Sequence, residues 1–119
     1  MILTDPEWNI MEILWSGERF SLGEITKRLA QVNGWSKKTV YTYLTRMEAK
    51  NLVHIDRGEE EPYAARITRE ECAKEERKEF LRKVYDGAAG DMIAAFLKDS
   101  PISREEVKRL KKLLDEMEV

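Results

Sequence analysis

At Leu52 the apolar residues of this chain stop recurring every three or four positions and begin to alternate. Val40, Leu44 and Met47 mark the last stripe of a helix. Beyond it, Val53 and Ile55, then Tyr63, Ala65 and Ile67, take every second position on either side of Gly58-Glu59-Glu60-Glu61. The change predicts two short strands, 52–57 and 62–67, joined by that acidic loop, with Pro62 suited to the first residue of an edge strand. A helix running directly into an isolated hairpin restricts the fold sharply, because two strands alone are not stable in water and must pack on the helices before them.

Those helices are marked by their ends. The first opens at Thr4-Asp5-Pro6-Glu7, a cap followed by a first-turn proline and acids, and carries Trp8, Met11 and Trp15 with Ile10 and Leu14 beside them. Ser16-Gly17 stops it. The second begins at Ser21, with Glu24 completing an expected capping box, and buries Leu22, Ile25 and Leu29, with Val32 extending the stripe to Asn33-Gly34. Ser36 caps the third, which ends near Lys50-Asn51, Asn51 taking a left-handed position. Phe20 is placed to add a very short third strand. Residues 1–67 thus predict a mainly α fold: a winged helix-turn-helix domain of three helices plus a small β-hairpin wing.

From Thr68 the chain is helical again, and residues 68–119 predict a three-helix C-terminal dimerisation region. The first of these helices runs to Tyr85 and ends at Asp86-Gly87; the second carries Met92, Ile93, Phe96 and Leu97 and breaks at Ser100-Pro101. The third opens on a capping box, Ser103 with Glu106, and shows Val107, Leu110, Leu114 and Met117 at heptad spacing. Residues 1–67 already form a closed unit, so this added apolar surface calls for a partner, most economically a second copy. The expected interface is Phe80, Val84, Met92, Ile93, Phe96, Leu97, Val107, Leu110, Leu114 and Met117.

Composition removes other classes. The 119 residues are 42% hydrophobic and 37% charged, with 21 basic against 23 acidic side chains. Global charge therefore gives no argument for nucleic acid. No window of 18 apolar residues suggests a membrane span, and the N-terminus lacks the basic-then-apolar order of a secretory signal. A single cysteine, Cys72, excludes an internal disulfide framework, fits a reducing cytoplasm and is expected to act as a small core hydrophobe. With one histidine, His54, a zinc site would need carboxylates to complete it. There is no phosphate loop and no nucleophile–base motif. No enzyme, metal or cofactor is expected.

The distribution of charge carries the functional reading. With Val40 at zero on a wheel of about 100° per residue, Lys38, Thr42, Thr45 and Ala49 lie within about 40° of the direction opposite the apolar stripe. Tyr41 and Arg46 flank them. Residues 35–51 hold Lys37, Lys38, Arg46 and Lys50 against Glu48 alone, a local +3 that the overall −2 conceals. Arginine and lysine bond guanine, threonine hydroxyls meet bases or phosphates, and methyl groups touch thymine in a major groove. Ser36, Lys37 and Lys38 at a helix N-terminus favour phosphate. Arg57 and Arg66, on either side of the acidic loop, are expected to reach the backbone, whereas the three acids at the tip are expected to add nothing to affinity or to lower it. Trp8, Trp15 and Trp35 are read as packing residues and His54 as structural or exposed.

These residues match a family pattern. Glu7-Trp8-Asn9-Ile10-Met11-Glu12-Ile13-Leu14-Trp15, then Trp35-Ser36-Lys37-Lys38-Thr39-Val40-Tyr41-Thr42, resemble the two tryptophan motifs of the penicillinase-repressor (BlaI/MecI/CopY-like) family. Arg46, Met47, Lys50 and Leu52 continue the second motif, and Phe80-Leu81 to Tyr85-Asp86-Gly87 resembles the family's C-terminal one. The resemblance implies a dimeric repressor on an inverted-repeat operator with TACA/TGTA half-sites. It carries Lys38, Thr39, Thr42 and Arg46 over as DNA contacts, with Thr39 toward the edge of the face. Tyr41 and Thr45 stand as secondary candidates. Three departures matter. The family's Asn-Phe cleavage pair is Ala95-Phe96 here, the cysteine pairs of the copper-responsive branch are missing, and Asn51 replaces a usual glycine. The rival to a DNA-binding regulator is a winged-helix protein-interaction adaptor, which the acidic loop favours and the basic face opposes.

Overall fold

The computed structural model describes residues 3–117. In order they form α1 (Asp5–Trp15), α2 (Leu22–Leu29), α3 (Lys37–Ala49), β1 (Val53–Ile55), β2 (Tyr63–Ala65), α4 (Arg69–Tyr85), α5 (Ala89–Asp99) and α6 (Arg104–Glu116). The strands pair antiparallel, Val53 with Ala65 and Ile55 with Tyr63. Phe20 bridges Tyr63, so the expected third strand is a single residue wide. This is the mainly helical, winged helix-turn-helix arrangement.

Local chemistry explains the helix starts. Thr4 accepts from the Glu7 N–H while Glu7 accepts from the Thr4 N–H, a complete capping box. Ser21 and Ser103 cap α2 and α6 by accepting from the N–H of Glu24 and Glu106. The reciprocal bond of the expected box at Ser21 is not made: Glu24 turns instead to Arg28, 3.1 Å away. Asn51 at φ 64° and Gly34 at φ 66° take the left-handed positions that end α3 and the α2–α3 turn. Two expectations change. Val32 lies beyond α2 and is 60% exposed, so the buried stripe ends at Leu29. Met117 caps α6 in extended backbone, so the heptad seam closes at Leu114.

The chain divides into two compact units, one reaching Glu79 and one beginning at Phe80. The break falls beyond the expected boundary at Thr68 because the start of α4 belongs to the first unit. Cys72 is buried in that unit's core with Ile10, Leu14, Ile25, Leu44 and Val53, and Glu76 accepts from the Leu3 N–H at 2.9 Å. Burial, with Glu71 and Glu76 adding to it, pushes the Cys72 thiol up, so it stays protonated as a small core hydrophobe. In the second unit no residue of α5 or α6 is fully buried.

Candidate nucleic-acid interface

Helix α3 is fixed along its inner side and at both ends. Val40, Leu44 and Met47 have no exposed surface. The Ser36 hydroxyl accepts from the Thr39 N–H at 3.3 Å, and the Trp35 ring packs on Tyr43 at 4.4 Å between centroids. At the far end Lys50 Nζ donates to Glu7 Oε2 at 2.7 Å. The Glu7 side chain is almost fully buried, and that burial alone would raise its pKa. Hydrogen bonds from Lys50 and Thr4 outweigh it and hold the carboxyl below its ordinary value.

The outer side of α3 presents Lys38, Tyr41, Thr42, Thr45 and Arg46, all exposed. The Thr42 and Thr45 hydroxyls donate to the carbonyls of Lys38 and Tyr41, at 3.1 and 3.0 Å. With their protons committed to the helix, both present acceptor lone pairs outward, which suits the amino groups of cytosine and adenine. The Arg46 guanidinium lies 5.9 Å from the Tyr43 ring centroid, an aromatic rest that leaves its fork of donors outward. Arg46→Ala is expected to weaken binding to a matched operator by about 1–3 kcal/mol and to random duplex much less. Equal losses on both, measured by anisotropy, would make Arg46 a phosphate contact.

The other expected residues are placed differently. Ser36 and Thr39 pair their hydroxyls at 3.1 Å, and Thr39 is half-buried, so it stands at the edge of the face as expected. Lys37 reaches back toward α2, its Nζ 4.0 Å from where a Cβ on Gly23 would stand, so it adds its charge near the α2 N-terminus. Arg57 is engaged with Glu48 through two bonds, 2.8 and 2.9 Å. Arg66 does not flank the loop. The pairing of Val53 with Ala65 sets it at the open end of the hairpin, lining a cleft with Leu14, Trp15 and Glu18.

Sequence reasoning missed what holds the wing. Arg19 donates to the Glu61 carbonyl at 2.9 Å and pairs with Asp56 at 3.1 Å, so one side chain ties the loop at two points. Gly58 at φ 98° makes the turn possible, and Glu59, Glu60 and Glu61 are exposed. Such pairings carry no periodic signal and follow only from the fold. The tryptophans are packing residues: Trp8 and Trp15 meet edge to face at 5.3 Å, and Trp15 Nε1 donates to the Ile67 carbonyl. His54 is exposed on β1. Among the described residues no cluster of His, Cys, Asp and Glu is arranged to hold a metal ion, and no helix is long and apolar enough to cross a membrane.

The second unit presents a different surface. Phe80, Val84, Ile93, Phe96, Leu97 and Leu114 are exposed, and so is Leu113, which the heptad reading omitted. Met92, Val107 and Leu110 are half-buried. Phe96 stacks on Phe80 at 6.1 Å, and the Ala95–Phe96 peptide lies inside α5.

The family model described as "Penicillinase repressor" matches residues 3–116. The chain is 29% identical to the penicillinase repressor of Bacillus licheniformis, over 96% of this chain and 90% of that protein. It is 26% identical to the methicillin resistance regulatory protein MecI of Mammaliicoccus sciuri, over 95% and 93%. A crystal structure of a MarR/EmrR family transcriptional regulator from Acinetobacter sp. ADP1 covers 97% of this chain, and is itself covered to 78%, with 18% identity and a TM-score of 0.42. That last likeness is too slight to bear on the fold, which rests on the elements described above.

Proposed function

The chain belongs to the penicillinase repressor family, a family of DNA-binding transcriptional repressors and not of enzymes, and on that premise we propose that it acts in the cytoplasm as a homodimer on an inverted-repeat operator. The observation that carries this reading is the outer face of α3: exposed lysine, arginine, tyrosine and hydroxyls, on a helix capped at its start and free of acids before Glu48. Each copy places α3 in a major groove, the two grooves roughly 34 Å apart when the half-sites are one turn apart. Lys37, Lys38 and the Ser36 backbone position the helix on phosphate, with Thr39 at the edge. Thr42 and Arg46 read bases, with Tyr41 and Thr45 beside them. Arg66 is a more distant backbone contact. The apolar residues of α4–α6 join the two copies.

Fluorescence anisotropy with a labelled TACA/TGTA inverted repeat and a scrambled duplex, across a salt series, tests the proposal. The expected result is operator binding tighter than the control by about 10³ or more, with one dimer per site. Equal, weak and steeply salt-dependent binding would mean a backbone binder with a different site. The absence of binding at low salt would favour a protein-interaction adaptor, a reading to which the exposed acids of the wing lend some support.

Those acids face the same test. Three carboxylates on a loop held by Arg19 repel phosphate wherever the wing approaches the duplex. Replacing Glu59, Glu60 and Glu61 together with glutamine is expected to raise affinity for both duplexes at low salt, with the gain fading as salt screens it. Unchanged affinity at low salt would rule out repulsion at the tip.

Induction by cleavage in the penultimate helix is not proposed. The residue pair there is Ala95-Phe96, without the asparagine.

A further inference from the structure

Glu48 is the one acid on α3, and it sits in the last turn, facing the wing. Arg57 takes both of its carboxylate oxygens, Nη1 to Oε2 at 2.8 Å and Nη2 to Oε1 at 2.9 Å, the two-pronged form that fixes a guanidinium most firmly. The Arg57 side chain is 62% exposed and that of Glu48 30%, so the pair stands at the surface, where an ion pair contributes little to stability. Its effect lies in charge. Between Val53 and Tyr63, Arg57 is the only arginine or lysine, and the loop beyond it is acidic.

We propose that Glu48 is a positioning residue for DNA binding: it holds Arg57 against the recognition helix and cancels its charge, so the loop end of the wing brings no cationic contact to the DNA backbone. The proposal rests on the reading of α3 as the DNA-binding helix. The cancellation does not depend on a rigid pair. If Arg57 swings toward a phosphate, Glu48 is left unpaired beside the same backbone, and the charge delivered is still zero. Glu48 thereby limits how tightly the protein holds any duplex, and leaves selection to the side chains of α3.

The salt dependence of binding reads this directly, because each phosphate neutralised adds about 0.9 to the slope of log affinity against log salt. Wild type, Glu48→Gln, the double variant Glu48→Gln with Arg57→Gln, and Glu12→Gln are compared on operator and scrambled duplexes. Glu12, on α1, is paired with Arg69 at the start of α4, so Glu12→Gln removes the same charge away from the wing. Glu48→Gln is expected to bind both duplexes more tightly at low salt, with a slope steeper by about 0.9, so that its advantage shrinks about 3.5-fold between 50 and 200 mM salt. The double variant is expected to return to the wild-type slope, and Glu12→Gln to match wild type. A wild-type slope for Glu48→Gln overturns the proposal alone, as does a double variant shallower than wild type, which would make Arg57 a phosphate contact despite Glu48. An equal gain in Glu12→Gln would reduce the effect to net charge and overturn it too. A wild-type protein that binds neither duplex overturns both this proposal and the DNA-binding reading.

Discussion

Lys50→Met is expected to destabilise the protein by about 3 kcal/mol at pH 7, the lower end of what breaking a buried ion pair costs. The two partners are unequal. The Lys50 side chain is 43% exposed and Glu7 only 4%, so losing the lysine strands a charge while losing the glutamate does not. Glu7→Gln keeps an acceptor for the Thr4 N–H and releases a lysine that water can solvate, so it is expected to cost about 1 kcal/mol, one ordinary hydrogen bond. An equal cost for both substitutions, by urea denaturation, would show that the pair acts through something other than burial of Glu7.

The same pair fixes a pH dependence. The folded-state pKa of Glu7 lies below its ordinary value of 4.5, so the unfolded chain binds the proton more readily. The stabilisation is therefore fully present above about 4.5 and is lost as pH falls through the lower folded value. In Lys50→Met the burial that raises this pKa is no longer opposed by the lysine. The difference between wild type and variant should be largest near neutrality and shrink toward pH 4.

What the sequence made legible was whatever depends on near neighbours. Ser21, Ser36 and Ser103 cap their helices because an oxygen at that position meets an N–H three residues on. Asn51 ends α3 in a conformation few other residues accept. The alternation after Leu52 located the strands, although each is three residues long where six were expected; beyond them single backbone bonds, Asp56 N–H to the Pro62 carbonyl and Arg66 N–H to the Leu52 carbonyl, continue the pairing by one residue at either end. Pairings across the fold were not legible. Lys50 counted toward a local +3 on the recognition helix, yet it neutralises a glutamate 43 residues away. Arg57 counted as a backbone contact, yet it is bound to Glu48. A sequence shows charges, and only the fold shows which of them remain to act on a partner. The outer face of α3 was legible because it needs only the geometry of a single helix.

Phe96→Asp is expected to convert a dimer into a monomer and to lower operator affinity by about 10²–10⁴, the gain that linking two half-site contacts supplies. No residue of α5 or α6 is fully buried, while Phe80, Ile93, Phe96 and Leu97 are 42–50% exposed. One exposed phenylalanine is ordinary, but this much large apolar surface in one small unit is what the proposed contact between two copies would cover. Each such side chain is already about half covered, so covering the rest is worth about 0.7–1.5 kcal/mol, and a carboxylate introduced among them must be desolvated instead. Sedimentation should show the monomer at concentrations where wild type is dimeric, while affinity for a single half-site stays unchanged because α3 is untouched. Phe96 also stacks on Phe80, so its loss disturbs the unit itself. Leu114→Asp, on α6 at 58% exposure, separates the two effects. If both variants remain dimeric and retain their helical circular dichroism, this face is not the interface. If both become monomeric yet hold the full operator as tightly as wild type, the protein does not need two copies to bind it.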